Sequence, residues 1–154
     1  MPNTQAVGVA FADPEFQSVD VTGAVTAASA TVTGAVSAGS VSATTVTASG
    51  SLVIKSATVA AAGSAQGDAA AVAAGFTLVS AADGTKGVVL PAASAGLVVI
   101  IKNNAAAALK IYPASGDAIN ALSANAAYSI TNLTSTVLVA YDSTTWYSVP
   151  LVAS

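Results

Sequence analysis

The chain has 154 residues, enough for one ordinary domain or for a small domain with an extended appendage. Hydrophobic residues make up 54% of it, but aromatic residues supply only 5% and charged residues 7%, so its apolar share is mostly Ala and Val. The absence of His and Cys excludes imidazole chemistry, disulfides and thiolate metal sites. Because the only basic residues are four lysines that form no patch, nucleic acid is not an expected partner.

The mean hydropathy of +0.73 would suit a membrane protein, but the placement of the apolar residues does not. The most apolar stretch, Gly87–Ile101, contains Pro91 and is shorter than a membrane-spanning helix. The first residues include Asp13 and Glu15 but no Lys or Arg, so they lack the basic start of a secretory signal. We therefore expect no membrane partner, signal peptide or anchor.

Residues 1–20 are predicted to form an irregular arm that attaches to a partner protein. Pro2 and Pro14 discourage a long helix. The large apolar residues of the arm have no domain of their own, so we expect them to contact a partner, with packing onto the following tract as the alternative. The acidic residues would favour a basic partner surface. The candidate anchoring residues are Val7, Val9, Phe11, Asp13, Glu15 and Phe16.

Residues 21–55 form a low-complexity tract of Val, Thr, Ala, Ser and Gly with no charge before Lys55. The segment Val21–Ala27 recurs as Val32–Ala38, eleven residues later. Val and Thr favour strands, whereas Gly and Ser between them favour turns. The tract therefore predicts a series of very short strands with about one valine each.

A single ribbon of this kind would bury almost nothing and would leave two open strand edges. Disorder is the alternative, although disordered tracts are usually rich in charge and poor in β-branched residues. Identical chains wound together would pair their edges and place valines on a common axis, which favours an intertwined trimeric β stalk. The candidate stalk-core residues are Val21, Val25, Val32, Val36, Val41, Val46, Leu52 and Ile54.

Residues 56–154 are predicted to form a compact β domain. Seven candidate strands, separated by turn signals such as Asp83-Gly84, suggest a small β-sandwich or a jelly-roll-like fold. The Ala-rich segment Ser56–Ala74 could hold a helical turn or a loop. The candidate strands are Thr77–Ser80, Gly87–Leu90, Leu97–Lys102, Leu109–Tyr112, Ala127–Ile130, Thr136–Tyr141 and Thr145–Val149.

The residues available for catalysis are few, and we expect a protein that is not an enzyme and uses no cofactor or metal. Without His or Cys there is neither a Ser-His-Asp triad nor a thiol nucleophile. A glycosidase-like pair of carboxylates is the one chemistry left open. Each candidate carboxylate, however, lies beside Gly or Ser in a predicted turn, where Asp is favoured for local hydrogen bonds. These candidates are Asp68, Asp83, Asp117 and Asp142.

Five aromatic residues concentrate in the last third of the chain. The favoured interpretation is that Trp146 and some of the tyrosines form the domain core, since amphipathic aromatic residues usually bury their rings. The alternative is a patch that contacts a host receptor or glycan. For that patch the candidate contact residues are Tyr128, Trp146 and Tyr147.

Three segments resemble structural proteins of tailed-bacteriophage virions. The repeat that begins at Val21–Thr26 resembles the short β repeats in the shafts of phage fibres, and Val7–Phe16 resembles the start of small virion proteins. Leu109–Asn120, with the aromatic residues downstream, is similar to a C-terminal β domain common among phage structural proteins. The resemblance spans most of the chain.

This resemblance implies a homotrimeric capsid decoration protein or head fibre. Its N-terminal arm would bind the major capsid protein or another virion protein at a three-fold position, where three equivalent arms can each contact a capsid subunit. The small size of the chain favours the capsid surface over the tail. The alternative is a tail fibre or spike whose C-terminal β domain binds a host receptor or glycan.

Overall fold

A computed structural model describes residues 22–73 and 75–149, and the fold of this part is all-β. The chain divides into two units at Val46–Thr47, and every strand belongs to the second unit. The described residues contain no helix long and apolar enough to cross a membrane. The strands are β1 (Ser56–Ala60), β2 (Ala70–Ala71), β3 (Gly75–Ala81), β4 (Gly87–Val89), β5 (Val98–Asn103), β6 (Leu109–Tyr112), β7 (Ala118–Ile119), β8 (Tyr128–Ile130), β9 (Ser135–Ala140) and β10 (Thr145–Val149).

The first six strands alternate between two sheets. β1, β3 and β5 pair in parallel in one sheet, and β2, β4 and β6 pair in parallel in the other. The chain therefore winds from sheet to sheet as in a β-solenoid. Antiparallel β9 and β10 then extend the first sheet and antiparallel β8 extends the second. The final orders are β1-β3-β5-β9-β10-β7 in a six-stranded sheet and β2-β4-β6-β8 in a four-stranded sheet.

All seven candidate strands overlap strands of the structure, as β3 to β6 and β8 to β10. The segment Ser56–Ala74, which the sequence left open, contains β1, β2 and a single 3-10 turn at Gln66–Asp68. The strand connections are not those of a jelly roll. Jelly-roll strands are antiparallel, whereas neighbouring strands among the first six are parallel here.

The core lies between the two sheets. Alternate residues of each strand point into it, as expected from the two-residue period of a strand. Its largest member is Trp146, which is completely buried. The core includes Val79, Val99, Ile101, Leu138 and Trp146 from the six-stranded sheet and Val88, Leu109, Ile111 and Ile130 from the four-stranded sheet.

Two glycines allow neighbouring strands to approach closely. A Cβ atom at Gly87 would lie 2.6 Å from the Tyr112 ring and 2.9 Å from the carbonyl oxygen of Lys110. Gly75 has a φ of +100°, and a Cβ atom there would overlap the carbonyl oxygen of Lys55. Since β3 and β4 begin at these two glycines, a larger residue at either position would force neighbouring backbones apart.

Candidate functional site

Residues 22–54 have a regular backbone path although they form no strand. The backbone bends at residues 22–23, 28, 33–34, 39, 44 and 49–50, that is, every five or six residues. The bends at 23 and 34 are eleven residues apart, as are those at 28 and 39, so the geometry follows the sequence repeat. Among the described residues, the backbone of this tract forms no hydrogen bond to other backbone groups.

An apolar residue follows each bend by two positions. The valines in this set expose large fractions of their surface, 73% for Val25, 68% for Val36 and 75% for Val46. Since every residue of 22–54 is exposed, what distinguishes these side chains is their regular position after the bends, and burying one of this size would be worth about 1.5–3 kcal/mol. The residues that follow the bends are Val25, Ala30, Val36, Val41, Val46 and Leu52.

The stalk-core prediction and the bend pattern agree on five residues, namely Val25, Val36, Val41, Val46 and Leu52. Val32 and Ile54 are also exposed, at 59% and 47%, but they do not follow a bend by two positions. Val21 lies outside the described residues. A trimeric stalk therefore stays a prediction, and the bend pattern narrows its candidate core to these five residues.

The candidate anchoring residues all lie outside the part of the chain that the structure describes. They are Val7, Val9, Phe11, Asp13, Glu15 and Phe16. Attachment through the arm therefore also stays a prediction.

The three candidate receptor contacts do not share one surface. Trp146 is in the core, and Tyr128, on the four-stranded sheet, is partly buried against that core. Tyr147 is half exposed on the six-stranded sheet, where its ring lies edge-on to Tyr141 at a centroid distance of 5.9 Å. A receptor site that uses all three side chains together would need a different arrangement of the domain.

Tyr128 instead borders a shallow surface pocket of about 310 Å³. The pocket lies along β8, at the edge of the four-stranded sheet, and along the start of β9. Six of its seven lining residues carry hydroxyl groups and none is charged, which suits an uncharged polar ligand. The lining residues are Tyr128, Ser129, Ile130, Thr131, Thr134, Ser135 and Thr136.

Asp83 and Asp142 stabilise the turns in which they lie by accepting hydrogen bonds. Asp83 accepts hydrogen bonds from the Thr85 hydroxyl at 2.7 Å and from the Thr85 and Lys86 N–H groups, and these bonds hold its carboxyl pKa well below the usual range. Asp142 accepts hydrogen bonds from the N–H groups of Thr144 and Thr145, both at 2.8 Å. The Thr144 N–H bond is the main reason that the pKa of Asp142 is lowered. Both carboxylates are thus stabilised in their charged form by hydroxyl and backbone N–H groups of the same turn.

The other two candidate aspartates, Asp68 and Asp117, also accept hydrogen bonds from backbone N–H groups. Asp68 accepts from Ala65 at 2.8 Å, whereas the buried Asp117 accepts from Ala93 at 2.9 Å, across 24 residues of chain. In the described part of the chain, no three His, Cys, Asp or Glu residues are grouped so that they could hold a metal ion. These contacts support the interpretation of the four aspartates as structural acceptors.

No protein-family model, curated protein or solved structure matches this chain. Three features of the described residues could take part in a function. They are the exposed tract 22–54, the hydroxyl-lined pocket beside β8, and the outward side of the six-stranded sheet.

Sequence reasoning did not identify the outward side of the six-stranded sheet. Val98 is 43% exposed there and Tyr147 is 49% exposed. A signal was present, because the runs Val98–Ile101 and Val137–Ala140 are apolar at every position instead of alternating with polar residues.

Proposed function

We propose that this protein is a non-catalytic structural component of a tailed-bacteriophage virion, a homotrimer attached to the capsid through residues 1–20 as a decoration protein or head fibre. The observation that supports assembly from several copies is the apolar residue two positions after each bend of an uncharged tract, and three copies are what the resemblance implies. The assignment to a virion depends on the resemblance of the arm, the repeat and the C-terminal segment to phage structural proteins.

Three copies in parallel and in register would place equivalent bends at the same level. The residues after the bends, such as Val36 and Val41, would then meet around a shared axis, where small side chains permit close approach of three backbones. The backbone groups of the tract, which form no backbone hydrogen bond among the described residues, would pair with sister chains and remove the open edges.

Attachment would gain strength from multivalency. Three arms on one assembly bind together with a higher effective concentration than separate arms, so weak individual contacts are enough. The apolar Phe11 and Phe16 would supply contact area, and Asp13 and Glu15 would help to select a basic capsid surface.

Removal of residues 1–17 tests attachment separately from assembly. We expect the shortened protein to sediment with the mass of three copies, as the full chain should, but not to bind purified capsids that lack it. Binding by the shortened protein would exclude the arm as the anchor. A full chain that sediments as a folded single copy at micromolar concentration would exclude the trimer.

A second candidate function, a tail fibre or spike that binds a host glycan, is favoured by the hydroxyl-lined pocket beside Tyr128. Uncharged sugars present hydroxyl groups that Ser, Thr and Tyr side chains can bind, and an aromatic ring can support the apolar side of a sugar. A Ser129→Trp substitution would fill the pocket from an exposed position, and Ser143→Trp is the control on an exposed turn elsewhere. Adsorption to host cells that falls only for Ser129→Trp would support this function.

A further inference from the structure

The pocket beside β8 contains a buried hydroxyl group that has no hydrogen-bond partner. Thr136 of β9 lines this pocket of about 310 Å³, and only 3% of its surface is exposed. Its Oγ1 atom forms no hydrogen bond among the described residues. Buried hydroxyl groups are normally paired, because an unpaired one loses its bonds to water without replacement. The contacts of the domain itself therefore do not explain why a hydroxyl group lies at this position.

A second unpaired hydroxyl group lies in the same row of side chains. Thr77 of β3 lies opposite Ile101 of β5, and Ile101 lies opposite Thr136 of β9. All three side chains are buried, and the Thr77 hydroxyl also has no partner among the described residues. Thr77, however, does not line the pocket. The two threonines thus share their burial and their chemistry, and they differ in contact with the pocket.

The free edge of β8 adds a backbone donor and a backbone acceptor beside the pocket. Ser129 of β8 lies opposite Lys110 of β6, and the Lys110 N–H donates to Lys86, on the side of β6 away from β8. Opposite residues of an antiparallel pair alternate between hydrogen-bonded and non-hydrogen-bonded positions, so Ser129 occupies a non-hydrogen-bonded one. Its N–H and C=O groups therefore face the open edge of the sheet, and Ser129 also lines the pocket.

These groups favour a ligand that both donates and accepts hydrogen bonds. The hydroxyl groups of Ser, Thr and Tyr do both, and none of the lining residues is charged. An ionised ligand would lose hydration here without a compensating charge. A ligand with several hydroxyl groups can instead pair with the side chains and with the backbone of Ser129 together. The partly buried ring of Tyr128 offers an apolar surface to the C–H groups of such a ligand. This is the chemistry of a neutral sugar.

We propose that Thr136 is the residue of this pocket that hydrogen-bonds a hydroxyl group of a neutral sugar, and that its unpaired hydroxyl lowers the stability of the domain until the sugar binds. This inference rests on the second candidate function, the binding of a host glycan. The Oγ1 atom is covered in this structure, and rotation about χ1 between staggered positions turns it toward the sugar. A sugar that supplies the missing partner is favoured over one that lacks a hydroxyl group at that position.

Replacement of each unpaired hydroxyl by a methyl group tests the effect on stability. Thr136→Val and its control Thr77→Val nearly keep the shape of the side chain and remove the hydroxyl. In denaturant titrations of the full chain without sugar, we expect neither variant to have a lower unfolding midpoint than the original chain, because each loses an unpaired buried group. A lower midpoint for Thr136→Val would show that its hydroxyl already has a partner, and this would overturn the proposal.

Sugar binding is measured on the same full-length proteins from the shifts of backbone amide signals in NMR spectra. The probes are D-glucose, D-galactose, D-mannose, L-rhamnose and N-acetyl-D-glucosamine over a millimolar range. We expect at least one sugar to shift the signals of Ser129 and its neighbours. Thr136→Val should weaken this binding about fivefold, as the loss of one hydrogen bond predicts. Thr77→Val should leave it unchanged, and Thr136→Ser, which keeps the hydroxyl, should retain it.

The outcomes distinguish the role of Thr136 from glycan binding as such. Binding at Ser129 that weakens in Thr136→Val but not in Thr77→Val or Thr136→Ser supports the proposal. Equal affinities of Thr136→Val and Thr77→Val overturn the role of Thr136 and leave glycan binding by the pocket standing. Absence of shifts with every sugar, or shifts confined to residues away from the pocket, overturns both the proposal and glycan binding at this site.

Discussion

Residues 22–54 and the β domain that begins at Ser56 use similar residues in opposite ways. Val79, Val88 and Val99 of the domain are completely buried, whereas Val25 and Val46 of the tract are 73% and 75% exposed. The difference arises because the domain supplies ten strands that pair with one another, while the tract supplies none. Burial of a valine thus depends on whether its own chain provides the neighbouring strands.

The largest expected effect concerns the tract. Val36→Asp would place one carboxylate per copy on the proposed axis, where like charges would lie together away from water. We expect loss of the oligomer in sedimentation, with the circular-dichroism signal of the domain retained. Ser37→Asp is the matched control, since successive residues of an extended chain point to opposite sides. Dissociation by both variants, or by neither, would contradict the axial role of Val36.

The stability of the β domain should depend on its core residues and not on the tract. Trp146→Ala removes the largest buried side chain, and we expect the free energy of unfolding to fall by about 3–5 kcal/mol. Leu133→Ala, at a position 58% exposed, should change it little. Denaturant titration followed by circular dichroism measures both, and a small effect of Trp146→Ala would mean that the core is packed differently.

A smaller loss of domain stability is expected when the buried Asn103 is replaced. Its side-chain amide donates to the carbonyl oxygens of Ala107 at 2.9 Å and Thr131 at 3.0 Å, and its oxygen accepts from the Ala105 N–H. Asn103→Ala should lower the free energy of unfolding by about 1–3 kcal/mol, because these buried groups lose their partner.

The neighbouring Asn104→Ala is the matched control for this prediction. Asn104 is exposed, so its truncation should have almost no effect in the same denaturant titration. Equal losses for the two variants would show that the network around Asn103 does not stabilise the domain.

The smallest effect concerns acid stability at the turns. Because the pKa of Asp83 is lowered in the folded domain, the unfolded chain takes up this proton first as the pH falls. The contribution of Asp83 is thus complete above about pH 4, the ordinary Asp pKa, and declines at lower pH. In acid titrations, Asp83→Asn should be less stable than the original chain at neutral pH but should lose less stability below pH 4. If the stability of the two proteins fell in parallel with pH, the Asp83 carboxylate would not be the source of this pH dependence.

Local signals were enough to locate most strands. β5 and β9 are rich in β-branched residues, and the turns after Asp83 and Asp142 are held by hydrogen bonds within three residues. The sequence missed β1, β2 and β7. β2 and β7 have only two residues each and β1 lies in an Ala-rich segment, so their strand character depends on pairing with β4, β10 and β3.

The candidate sites were predictable to different degrees. The eleven-residue repeat indicated the valines of the tract, and the structure added the bends that separate Val36 from Val32. The pocket beside Tyr128 was not predictable, since its walls come from β8, the following turn and β9. Residues on different strands can be brought together only once the pairing of the strands is known.

The sequence by itself determined the all-β character, the positions of seven strands and the absence of His and Cys chemistry, since these depend on composition and on residues close together in the chain. Only the tertiary structure decided the parallel winding between two sheets, the contact of Asp117 with Ala93, and the apolar side chains on the outward side of the six-stranded sheet. Alternation along a strand specifies which side chains share a face, but not which strand lies beside it. That choice follows from the packing of the whole domain.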